Sequence, residues 1–129
     1  MRIAIYGRPT NDNTSEYIQQ LFHKLNEYNT EILIYEPFYQ FIKQKLELVG
    51  NIKTFSSHTD LLGRVETMLS LGGDGTFLET LSFVRDSEIP VLGINTGRLG
   101  FLATVAKSEI DGAVEALAEK RYSIEKRSL

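Results

Sequence analysis

The chain has 129 residues, with 14 Lys and Arg against 17 Asp and Glu for a formal net charge of −3, and it is 42% hydrophobic and 24% charged. That balance suits one globular domain with a real core and excludes disorder along the whole chain. It also argues against a nucleic-acid or membrane-surface partner, both of which need clustered cations. With no cysteine and only two histidines, a disulfide framework, a thiolate site and a multi-histidine metal site are set aside. No apolar run approaches the roughly 18–20 residues of a spanning helix, and the N-terminus lacks a signal-peptide core. The expectation is a soluble, cytoplasmic protein.

Met1–Gly7 is a short apolar run rich in β-formers and reads as a buried first strand. Asn13, three residues before Glu16, suits a helix cap, and Tyr17, Ile18, Leu21, Phe22 and Leu25 then fall on one helical face. Ile32–Tyr35 predicts a second strand, closed by Pro37. Phe38, Phe41, Ile42, Leu46 and Val49 repeat at helical spacing up to Gly50. Asn51–Gly63 is the least regular stretch and is expected to be a mobile connection.

Thr67–Leu71 predicts a third strand that runs directly into Gly72-Gly73-Asp74-Gly75. Phe77, Leu78, Leu81 and Val84 mark a helix after that turn. Pro90–Asn95 predicts a fourth strand, which feeds a second glycine-rich turn through Gly97 and Gly100. Ser108 and Asp111 suit a capping box for a last helix striped by Ile110, Ala113, Val114 and Leu117. Tyr122–Leu129 reads as a terminal extended segment. Strands alternate with helices nearly throughout, which predicts a parallel, helix-covered α/β sheet. Ligands of such sheets bind beyond the carboxyl ends of the strands, where both glycine-rich turns fall.

Three glycines in the four positions Gly72–Gly75 let the backbone approach a ligand closely, and N–H groups at a helix start suit a phosphate. Asp74 is out of place in a pure anion cradle. A carboxylate there suits holding a hydroxyl nucleophile or a metal ion against a phosphoryl group. The plain structural alternative is a tight turn in which Asp74 or Thr76 caps the helix, with Glu79 as the capping-box partner of Thr76. In Asn95-Thr96-Gly97-Arg98-Leu99-Gly100-Phe101-Leu102, Arg98 offers a cation for phosphate and Phe101 an aromatic face. Taken singly, Arg98 reads as a solvated charge and Phe101 as core.

Together the two segments resemble the signatures of the NAD kinase family. Gly-Gly-Asp-Gly-Thr-Phe-Leu at 72–78 is similar to the first, and Asn-Thr-Gly-Arg-Leu-Gly-Phe-Leu at 95–102 to the second. The first is shared with diacylglycerol and sphingosine kinases, and in altered form with phosphofructokinases; the second is far more specific. The resemblance implies a Rossmann-like, phosphofructokinase-like N-terminal domain over residues 1–129. Residues 121–129 would lead into a β-rich C-terminal domain. It implies transfer of the γ-phosphoryl of ATP (polyphosphate in some members) to the 2′-hydroxyl of the adenosine ribose of NAD, giving NADP. Mg²⁺ or another divalent cation would arrive with ATP, and the whole enzyme would be a homo-oligomer.

Residue by residue, the resemblance makes Asp74 the proton acceptor, and Asp74 with Gly75 dinucleotide contacts. Gly73, Thr76, Arg98 and Phe101 would line the same cofactor site. The resemblance implies an approach of ATP near residues 8–12, which follow the first strand and match no motif of the family. No Asn-Glu or Asn-Asp follows the second signature in this sequence, where the family has such a motif, so the chain by itself is expected to be inactive. The competing readings are a lipid-kinase domain, which leaves residues 95–102 without a role, and a non-catalytic nucleotide-binding module.

Overall fold

The computed structural model describes residues 1–8, 15–48, 50–61, 63–72, 74–84, 89–95, 104–106 and 110–119. Among the described residues, six strands form one sheet: β1 (Arg2–Gly7), β2 (Glu31–Tyr35), β3 (Asn51–Phe55), β4 (Thr67–Gly72), β5 (Val91–Asn95) and β6 (Thr104–Ala106). Three α-helices lie between described strands, α1 (Ser15–Glu27), α2 (Glu36–Ile42) and α3 (Asp74–Val84), and α4 (Ile110–Glu119) follows β6. The strand order is β3-β2-β1-β4-β5-β6, and every neighbouring pair is parallel. This is the order of doubly wound dinucleotide-binding sheets, and it reverses direction between β1 and β4.

Parallel strands covered on both faces must be apolar on both, which is why β1, β2 and β4 read as continuous hydrophobic runs. Ile3, Ile5, Ile32, Ile34, Leu69 and Leu71 face α1, α2 and α4, packing on Ile18, Leu21, Phe22, Leu25, Phe38, Ile42, Ile110, Val114 and Leu117. The opposite face carries Ala4, Tyr6, Leu33, Phe55 and Met68 under α3, with Leu61 and Val84. Lys24 joins α1 to α4 by reaching Glu27 at 3.1 Å and Glu115 at 3.2 Å. Gln20 donates to Asp111 Oδ1 across the same pair of helices at 3.1 Å.

Three expectations are corrected. Residues 51–55 are not a mobile connection: they form β3, in register with β2 from Glu31 opposite Asn51 to Tyr35 opposite Phe55. Only Phe55 of this edge strand is buried, so the residues carry little apolar pattern, and Lys53 instead pairs with Glu31 at 3.4 Å. The helix expected to run to Gly50 closes at Ile42. Seven helical residues span only about 10 Å, so the following segment unwinds to return Asn51 to the amino edge beside Glu31. Pro37 does not simply close β2; it opens α2, in a first turn where an N–H would have no acceptor within the helix, so none is lost. The short strand β6 was also not expected. The anticipated cap at Asn13 and the terminal segment 122–129 lie outside the described residues.

Candidate functional site

Register brings the starting points of the two glycine-rich segments together. Gly7 at the end of β1 pairs with Leu71, and Gly72 at the end of β4 pairs with Asn95 at the end of β5. The first segment therefore leaves the sheet beside the residue from which the second departs, and β4, where the first begins, borders β1 at the reversal of strand order. Crevices of this kind are where open α/β sheets bind ligands.

The first turn is built by a strand-to-helix change of direction within very few residues. Gly72 adopts φ +151°, and a Cβ on it would lie 2.6 Å from Thr76 Oγ1 and 2.8 Å from Thr76 Cβ. Only glycine meets both demands. Asp74 is the first residue of α3, so its backbone stands at the end of the helix where N–H groups lack helical partners. Behind the turn, the Thr80 hydroxyl is 2.8 Å from the Thr76 carbonyl and 2.8 Å from the Ser70 hydroxyl. Both Ser70 and Thr80 are buried, so this bond ties α3 to β4 in a dry environment.

The capping-box expectation is corrected here. The helix starts at Asp74, which puts Thr76 inside its first turn rather than at the cap. Glu79 Oε1 is instead occupied by Arg8 Nε at 2.6 Å and by the Tyr6 hydroxyl at 2.9 Å. Burial, then the hydrogen bond to Glu79 and the negative charge beside it, raises the Tyr6 hydroxyl well above its ordinary value, so Tyr6 remains a donor. Tyr6 also packs its ring on Tyr35 and Phe83, with centroids 4.8 and 5.0 Å away. The Arg8–Glu79 contact links residues that sequence spacing never joins; the one available signal was a cation directly after the first strand.

Of the residues singled out from the sequence, Asp74, Gly75 and Thr76 occupy the first turn of α3 at the crevice. Gly73, Arg98 and Phe101 lie outside the described residues, as do residues 9–12. Among the described residues, no three His, Asp or Glu side chains gather as a metal cage. No helix among them is long and apolar enough to cross a membrane.

The chain is similar to known proteins. A family model described as the ATP-NAD kinase N-terminal domain matches residues 3–122. A NAD kinase of Flavobacterium psychrophilum is 43% identical over 129 residues, covering 100% of this chain and 44% of that protein. A NAD kinase of Cytophaga hutchinsonii is 42% identical over 130 residues, again with 100% and 44% covered. Among solved structures, yeast NADH kinase complexed with NADH superposes with a TM-score of 0.79 at 21% identity, covering 94% of this chain and 38% of that one. At that identity the likeness establishes the α/β fold. The chain spans less than half the length of the curated relatives it matches.

Proposed function

Since the chain belongs to the ATP-NAD kinase family, through its N-terminal domain, we propose that the protein containing it phosphorylates the 2′-hydroxyl of the adenosine ribose of NAD to give NADP. ATP is the donor in this reading, with polyphosphate as the second candidate. The observation that carries it is the pairing of Gly72 with Asn95, which starts both signature turns from adjacent points of the crevice.

Asp74 is the proton acceptor in this reading. A carboxylate in its ionised form accepts a hydrogen bond from the ribose hydroxyl. The hydroxyl is far less acidic, so its proton passes to Asp74 late, as the phosphoryl group moves. In a loose phosphoryl-transfer transition state, orientation and charge stabilisation outweigh prior deprotonation. Gly73 and Gly75 admit the dinucleotide close to the backbone, and Thr76 lines the same turn. Arg98 supplies positive charge and Phe101 an aromatic wall. A divalent cation carried by the nucleotide neutralises part of the phosphate charge that would otherwise repel Asp74.

Residues 121–129 lead into a C-terminal segment that completes the dinucleotide pocket, in a cytoplasmic homo-oligomer. A coupled NADP assay tests the reading. The full-length protein with NAD, ATP and Mg²⁺ is expected to form NADP, and the 129-residue chain alone to form none. Absence of NADP from the full-length protein with both ATP and polyphosphate overturns it.

A further inference from the structure

Arg8 is a cation that neither glycine-rich signature contains, yet it stands at the carboxyl end of β1, beside the strand-order reversal. Its Nε is engaged by Glu79 Oε1 at 2.6 Å. Its Nη2 lies 3.5 Å from the point where a Cβ on Gly75 would sit, so the end of the guanidinium rests over the first turn of α3. A Cβ at position 75 would be in ordinary contact with that nitrogen. The Tyr6 hydroxyl donates to the same Glu79 oxygen and holds the carboxylate from the strand below.

The pair contributes little to holding the fold. Arg8 and Glu79 side chains are 51% and 44% exposed, and ion pairs that open to water add little to stability. What the contact does is directional. With Nε held by Glu79, the terminal N–H groups are left facing the turn where α3 begins, whose first backbone N–H groups have no acceptor within the helix. A planar guanidinium fixed in this way matches two oxygens of one phosphate, which a flexible ammonium does not.

We propose that Arg8 is a phosphate-chain contact of the crevice, aimed across the first turn of α3 by Glu79 and Tyr6. This rests on the kinase reading above, which supplies two sources of such a chain: the triphosphate of the donor and the pyrophosphate of the dinucleotide. Glu79 and Tyr6 are positioning residues; Arg8 is the contact.

The test uses the full-length protein and its Arg8→Ala, Arg8→Lys, Glu79→Gln and Tyr6→Phe variants. Affinities for Mg-ATP and for NAD are measured separately by calorimetry, and KM and kcat for each substrate by the NADP assay. Arg8→Ala is expected to weaken one of the two ligands about tenfold or more, the size of a lost charge-assisted hydrogen bond, and to leave the other within about twofold. The ligand affected identifies the source. Arg8→Lys restores part of the loss. Glu79→Gln weakens the same ligand by about two- to fivefold with kcat nearly unchanged, which a purely structural role would not single out. Because the pair is exposed, melting midpoints should stay within about 2 °C. If Arg8→Ala fails to fold, Glu79→Gln and Tyr6→Phe decide, and unchanged affinities in both overturn the proposal. A parent protein that makes NADP, with Arg8→Ala binding both ligands like the parent, overturns the proposal alone. A parent that binds neither ligand overturns the kinase reading with it.

Discussion

Gly72 and Thr76 stand so close that a methyl group on the glycine would lie 2.6 Å from the threonine hydroxyl. The last residue of β4 and the first turn of α3 are thereby pressed together around Asp74. Gly72→Ala would meet this overlap and a φ of +151° that L side chains rarely adopt. Chemical denaturation is expected to show a loss of about 1–3 kcal/mol. Thr76→Ala is the control. Because Thr76 lies within the helix and not at its cap, its loss should change stability by less than about 0.5 kcal/mol.

The buried hydroxyls of Ser70 and Thr80 form a testable pair. Thr80→Val keeps the shape but strands the Ser70 hydroxyl in a dry site, at a cost of about 1–3 kcal/mol. Adding Ser70→Ala removes the stranded group. The double variant should therefore lose clearly less than the sum of the two single ones in a denaturation cycle. Strict additivity would mean that the two hydroxyls do not communicate.

In the proposed reaction Asp74 is the proton acceptor. In the full-length protein Asp74→Asn should keep the fold, since asparagine suits helix starts as well as aspartate does. Turnover is expected to fall by roughly 10²–10⁴, the usual worth of a general base, with substrate KM little changed. Turnover within a few-fold of the parent would leave the turn as a phosphate cradle without a base.

Asp60 predicts an acid limb in the stability profile. Its carboxylate accepts the backbone N–H groups of Ser56 at 2.9 Å and Ser57 at 3.1 Å, after β3. These bonds hold its pKa below the ordinary carboxylate value. A group whose pKa is lower folded than unfolded stabilises the fold above its unfolded pKa. That contribution disappears as pH falls through the folded value. The stability gap between the parent and Asp60→Asn should be full at neutral pH and shrink below about pH 4. A gap that persists unchanged into acid would exclude the charge as its cause.

Much of this architecture was legible because its signals are local. Strands β1, β2 and β4 are covered on both faces, so each must be an apolar run, and Met1–Gly7, Ile32–Tyr35 and Thr67–Leu71 announced them. Helices α1 and α4 bury one stripe, and Ile18, Leu21, Phe22 and Leu25, like Ile110, Val114 and Leu117, keep that period in the chain itself. The turn around Asp74 was readable for the same reason, since a close backbone approach needs its glycines side by side. Edge strands escape such reading: β3 buries only Phe55, and β6 is three residues long. Strand order and the meeting of distant side chains were beyond local reading. Tyr6 and Glu79 are 73 positions apart, and nothing in the spacing of either pairs them. Only the reversal of the sheet between β1 and β4 decides that the cation after the first strand faces the helix after the fourth. Periodicity records what each element must bury, whereas contacts across the crevice depend on which strands become neighbours, and that is settled by packing the whole chain.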